Sequence, residues 1–117
     1  MALIRVDKAG AGVNNEFTFI IGDIETGNNN YGVLDLSYEQ LSGFTQITVT
    51  KERGEGPEYA HEYYTVASNG TLSAATQITT GTAFNIPSIS QGEFVHIYYR
   101  MSHTTTGNSN EYKVTLS

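Results

Sequence analysis

The stretch QGEFVHIYYRM, Gln91 to Met101, constrains this chain more than any other, because it reads as the longest unbroken strand in it. Side chains alternate along a strand, so Glu93, Val95, Ile97, Tyr99 and Met101 share one side while Phe94, His96, Tyr98 and Arg100 share the other. The first set is mostly apolar and belongs on a core. The second mixes rings, a titratable imidazole and a guanidinium, and belongs against solvent or a partner. A long strand with one buried side requires further strands beside it and a second layer beneath it.

The rest of the chain supplies them. Leu3 to Asp7, Glu16 to Gly22 and Tyr31 to Leu36 read as strands, the second with Phe17, Phe19 and Ile21 on one face and the third with Leu34 and Leu36 aligned. Ser37 and Gln40 stand at capping-box spacing with Gly43 beyond, which predicts a single helical turn between two strands. Phe44 to Arg53 is expected as a strand with Thr45, Ile47 and Val49 aligned. Tyr59 to Ala67 follows, with Ala60, Tyr64 and Val66 expected inward and Tyr59, His61, Tyr63 and Thr65 outward. Asn69-Gly70 is the strongest short hairpin signal in the chain. Leu72 to Gly81 offers two weak edge segments, Phe84 and Ile86 a brief strand, His103 to Asn110 a polar loop, and Glu111 to Leu116 a last strand. Short strands at this spacing predict an all-β, antiparallel β-sandwich of about eight strands, with residues 1–117 as one domain.

Composition excludes several functions. The absence of cysteine removes disulfides, thiolate zinc sites and thiol nucleophiles, and points to folding in a reducing cytoplasm. Six basic residues against twelve acidic ones give a formal charge of −6, the wrong sign for a nucleic-acid binder. No apolar run approaches a membrane span of about 18 residues. The opening MALIRVDKAG carries charge too early for a signal peptide, so synthesis without a leader is the expectation.

The residues able to carry chemistry do not assemble into a catalytic set, and the chain is expected to be non-enzymatic and free of cofactors. His61-Glu62 opens a zinc-protease signature, but the second histidine is missing and the segment is a strand. His61 and His96 would be neighbours if their strands paired, and with nearby Glu58 could then hold a metal; unliganded strand histidines are the plainer reading. Asp23, Glu25 and Asn28 to Asn30 could offer oxygens to calcium, yet an Asx-rich turn explains them. Glu52, Glu55 and Glu58 flank a Gly-Pro turn and read as a solvated loop. No phosphate loop or nucleophile elbow is present. Tyrosine is the overused residue, with eight in the chain and two adjacent pairs, Tyr63-Tyr64 and Tyr98-Tyr99. Each pair sends one ring to each face. The expected binding residues are therefore His96, Tyr98 and Arg100, joined by Tyr63 and His61 if their strand lies alongside.

Phe84-x-Ile86-Pro87, Ile89 and Gly92-x-Phe94, followed by the long strand and a final hairpin strand, resemble the last third of immunoglobulin-like sandwiches. Phe94 stands where those proteins carry a corner tyrosine, and the cysteine pair and core tryptophan are absent. A jelly roll fits as well. In character the chain resembles the β-sandwich decoration, or cement, proteins of phage and virus particles. That resemblance implies a non-enzymatic structural protein that associates with itself or with a larger particle such as a virion capsid. The alternative is a carbohydrate-binding module or adhesin domain using exposed tyrosines.

Overall fold

The computed structural model describes residues 15–21, 30–54, 58–101 and 109–117, together with the backbone of residues 5 and 6. The strands are β1 (Arg5–Val6), β2 (Glu16–Ile21), β3 (Asn30–Ser37), β4 (Gln46–Arg53), β5 (Glu58–Val66), β6 (Thr76–Gln77), β7 (Phe84–Asn85), β8 (Phe94–Met101) and β9 (Asn110–Leu116), with one helical turn, α1 (Tyr38–Leu41). They form two antiparallel sheets, ordered β1-β2-β9-β4-β7 and β3-β8-β5-β6.

The order decides between the two sandwich types. Pairing is nested: β2 with β9, β3 with β8, β4 with β7 and β5 with β6. The chain behaves as one long hairpin wrapped into two layers, which is the jelly-roll arrangement. The tip of that hairpin is the Asn69-Gly70 turn. Gly70 sits at φ +90°, its N–H donates to the Ala67 carbonyl at 2.8 Å, and the Thr71 N–H donates to Asn69 Oδ1 at 3.0 Å. The immunoglobulin-like expectation of a final hairpin fails here, because β8 and β9 lie in different sheets.

Alternation explains each long strand. Val95, Ile97, Tyr99 and Met101 of β8 are fully buried while Phe94, His96, Tyr98 and Arg100 are half-buried on the other side. The strand starts at Phe94 rather than Gln91, since a turn closed by the Glu93 N–H on the Ser90 carbonyl occupies the preceding residues. Phe17, Phe19 and Ile21 of β2, Leu34 and Leu36 of β3, Ile47 and Val49 of β4, and Tyr112, Val114 and Leu116 of β9 complete the core. Phe19, Tyr99 and Tyr112 meet at its centre, with ring centroids 4.6–5.7 Å apart, and stitch the two layers together. The helical turn forms as its sequence predicts: Ser37 Oγ accepts from the Gln40 N–H at 3.1 Å and Gln40 Oε1 accepts from the Ser37 N–H at 2.8 Å.

The sheets close upon each other where β2 crosses β3. A Cβ at Gly32 would stand 3.0 Å from Phe19 Cδ2 and 3.2 Å from the Ile20 carbonyl oxygen, so only glycine lets the layers approach this closely.

Two outcomes test this packing. Val95→Asp or Ile97→Asp should abolish folding, read by circular dichroism and solubility, because an unpaired buried carboxylate costs several kcal/mol against a total stability of about 5–15 kcal/mol. Gly32→Ala should keep the fold and lower stability by about 1–3 kcal/mol in urea unfolding, as overpacking does.

Candidate binding face

The outer surfaces of the two sheets differ in chemistry. On the first sheet the outward rows are Glu16–Thr115–Thr48, Thr18–Lys113–Thr50 and Ile20–Glu111–Arg53. This is an ordinary solvated face, with an Arg53–Glu111 ion pair and Ile20 as its one apolar member. On the second sheet the rows across β3, β8 and β5 are Ser37–Phe94–Val66, Asp35–His96–Tyr64, Val33–Tyr98–Glu62 and Tyr31–Arg100–Ala60. Aromatic rings and a guanidinium replace threonine and lysine.

These groups touch in three clusters. Asp35 Oδ1 lies 2.5 Å from His96 Nδ1, and the Tyr64 ring stacks on the His96 imidazole at 4.8 Å. Burial and the Asp35 and Glu62 carboxylates push the Tyr64 phenol above its ordinary range. Tyr31 packs against Tyr98 at 5.9 Å. A bulge between Glu58 and Ala60 turns Tyr59 out of the ladder. Its ring is 64% exposed, with the Arg100 guanidinium 4.9 Å from the ring centre. Beside it, Tyr59, Ala60, His61, Glu62 and Gln77 line a notch of about 220 Å³.

Of the five residues expected on this face, His96, Tyr98 and Arg100 are there. Tyr63 and His61 are not. They pair with the inward Ile97 and Tyr99, so they point to the other side of β5. Tyr63 stacks on Phe84 at 4.4 Å, joining the two layers, and His61 Nδ1 donates to the Ile78 carbonyl at 2.6 Å. Tyr64, Val66 and Ala60, expected inward, face out instead. The reason is that β5 carries rings and polar groups on both sides, so its own pattern cannot choose a face and its register with β8 decides. His61 and His96 therefore lie on opposite sides of the sheet and cannot share a metal. Among the described residues no three or more His, Asp or Glu side chains cluster as a metal site. The Asp23, Glu25, Asn28 and Asn29 side chains, Glu55 and the polar loop around Thr105 lie outside the described residues, as does the Asn30 side chain.

Sequence reasoning also missed Tyr31, Asp35, Tyr59 and Tyr64. Tyr31 and Asp35 were within reach, because Leu34 and Leu36 inward require Tyr31, Val33 and Asp35 outward. Which strand they would lie beside was not.

A second polar group needs its own account. Glu58 was expected in a solvated loop, but it begins β5 and its side chain is only 19% exposed. Glu58 Oε2 accepts from Lys51 Nζ at 2.7 Å and from the Tyr112 hydroxyl at 2.5 Å, while Asn110 Nδ2 donates to that hydroxyl at 2.9 Å. Gly54, at φ +102°, closes against it, since a Cβ there would stand 2.1 Å from Asn110 Oδ1. Burial opposes the Glu58 charge, but the bonds from Lys51 and Tyr112 win and hold its pKa below the ordinary value. This carboxylate ties β4, β5 and β9 together.

No protein family, curated protein or solved structure matches this chain. Among the described residues no helix is long and apolar enough to cross a membrane.

The Glu58 cluster gives a pH prediction. Its folded pKa is depressed, so its contribution is complete above the unfolded value of 4.5 and is lost as pH falls through the lower folded value. Denaturant titrations should show Glu58→Gln about 1–3 kcal/mol less stable at neutral pH, as expected for losing hydrogen bonds to a charge. Below the folded pKa the difference should shrink. At the alkaline end Tyr99, pushed up to about 12 by burial, stabilises the fold fully below pH 10 and loses that contribution as pH rises towards 12.

Proposed function

We propose that this chain is a non-enzymatic binding and assembly protein, and that it docks the outer face of β3, β8 and β5 onto a larger protein assembly as capsid decoration proteins do. The observation that carries this reading is the contrast between the two outer faces of one sandwich. If water were the only neighbour of both, both could carry threonine, lysine and glutamate. The second sheet instead holds Phe94, Tyr98, Tyr64 and Tyr31 around His96 and Arg100. Burying such rings contributes roughly 25 cal/mol per Å², and tyrosine with arginine is the composition of interface hot spots. Arg100 supplies planar hydrogen bonding to a carboxylate or backbone carbonyl of the partner. The jelly-roll fold is compatible with this role, being common in capsid proteins, but lectins use it as well.

A second reading has its own observation. The exposed Tyr59 ring, beside Glu62 and Gln77 in the notch, has the parts of a sugar platform: an apolar ring face flanked by hydrogen-bonding side chains.

The double variant Tyr98→Ala, Arg100→Ala separates these. It should fold normally by circular dichroism, since both side chains point away from the core. It should lose co-sedimentation with the particle or assembly it docks onto, weakening binding by about thirtyfold or more if either residue is a hot spot. Unfolding would mean that the two residues hold the sheet together. Unchanged docking would move the contact elsewhere. Glycan binding that survives the double variant and disappears with Tyr59→Ala would favour the sugar reading.

A further inference from the structure

We propose that the free edge of β3 is a strand-acceptor site, and that the docking partner contributes an extended segment of its own chain as a fifth strand of the second sheet. The inference rests on the docking reading only for where that strand comes from.

The four sheet edges are not alike. β6 and β7 are edge strands of two residues each, and of β1 the described residues are Arg5–Val6. Extreme shortness is one of the ways native sheets protect an edge from pairing. β3, the fourth edge, is eight residues long and, among the described residues, pairs with β8 alone, through eight consecutive partners without a bulge. It contains no proline and no lysine. Its β-branched and aromatic content, Tyr31 and Val33, suits a strand. In an antiparallel pair alternate residues turn their N–H and C=O groups away from the neighbour. Ser37 ends that outer row with its N–H donated to Gln40 Oε1, and among the described residues no backbone hydrogen bond reaches the row at Tyr31, Val33 or Asp35.

The layers are also unequal. β2 lies over β3, as the close approach at Gly32 fixes. β1 extends the first sheet one strand beyond β2, to the side where the second sheet ends at β3. Among the described residues the first sheet has five strands and the second has four, which leaves a place one strand wide beside β3 and beneath β1. A lone extended segment fits that place. A second copy joined β3 to β3 about a two-fold axis does not, because its β2 would need the room that β1 already occupies.

The site also states what the strand should look like. Its side chains must alternate. Those turned beneath β1 meet the layer interior, where Leu34 and Leu36 lie, and should be apolar. Those turned outward lie beside Tyr31, Val33 and Asp35. The Asp35 side chain is 44% exposed and the chain carries a formal charge of −6, so a basic residue belongs opposite it.

The test uses the full chain and a synthetic peptide of about eight residues, matched to the length of β3. The peptide alternates valine and threonine, with one lysine on the threonine side. Two controls accompany it: the same peptide N-methylated at alternate backbone amides, and the same peptide with glutamate for lysine. Amide hydrogen exchange, followed by NMR, is the readout. In the free chain the Tyr31, Val33 and Asp35 amides should exchange fast and those of Gly32, Leu34 and Leu36 slowly. The lysine peptide should slow the fast set by about tenfold or more, the N-methylated peptide should leave it unchanged, and the glutamate peptide should bind more weakly. Three results would overturn the proposal: a fast set already protected in the free monomer, protection that rises with chain concentration and so reports a second copy, or no protection by the lysine peptide. The assay involves neither Tyr98 nor the assembly, so it can fail while docking of the outer face stands, and the reverse.

Discussion

Everything in this sandwich depends on β8 having two long neighbours. Its inward residues, Val95, Ile97, Tyr99 and Met101, have no solvent exposure. A strand paired on both sides transmits that choice, because residues directly opposite one another share a face. Leu34 and Leu36 are inward because they face Ile97 and Val95, and His61 and Tyr63 are inward because they face Tyr99 and Ile97. A slip of one residue in β8 would turn Phe94, His96, Tyr98 and Arg100 into the core and unmake both neighbours with it. The nested order strengthens this dependence. β8 lies inside the outermost pair of the wrapped hairpin and outside the tip, so no strand of the second sheet can shift without it.

The sequence announces this arrangement unevenly, for physical reasons. Strands with one clean apolar side are readable: β2 shows Phe17, Phe19 and Ile21, β9 shows Tyr112, Val114 and Leu116, and β8 shows its own alternation. Local chemistry is readable too. The Ser37–Gln40 capping box forms as spaced, and Asn69-Gly70 makes the turn at the hairpin's tip. What fails is whatever depends on distant residues. β5 has Tyr63 and Tyr64 side by side, with polar groups on both faces, so either face could go inward. Only its register with β8, more than thirty positions away, and the bulge beside Tyr59 decide. Glu58 reads as a loop carboxylate until Lys51 and Tyr112 are brought to it from two other strands. The candidate face was half legible for the same reason. Its β8 residues follow from alternation, whereas Tyr31, Asp35 and Tyr64 join them through pairings that no local pattern specifies.

The polar groups of the molecule divide into two kinds by the company they keep. Around Glu58 the bonds from Lys51 and the Tyr112 hydroxyl stabilise the ionised carboxylate, and the result is a tie between β4, β5 and β9 near the ends of those strands. On the outer face of the second sheet the polar groups cover rings instead. Arg100 lies over Tyr59, and His96 lies between Asp35 and Tyr64. Such cover lets aromatic surface face water without forming a bare apolar patch. It also leaves each ring with a hydrogen-bonding or cationic group beside it that a partner can use.

The face and the free edge are parts of one surface. Tyr31 belongs to both, since it opens the outer row of β3 and packs against Tyr98 of β8. A strand added along β3 would lie in the plane of the sheet, and its outward side chains would extend the rows that run through Asp35–His96–Tyr64 and Val33–Tyr98–Glu62. Backbone hydrogen bonds at the edge would then fix the register of the partner, while the rings on the face would supply most of the buried apolar area. Neither part suffices alone. An edge pairs with any extended chain, and an aromatic face packs against many apolar surfaces. Joined at Tyr31, they demand a partner that offers an extended strand and, beside it, a surface complementary to Tyr98 and Arg100. Selectivity for such a partner would arise from that joint requirement.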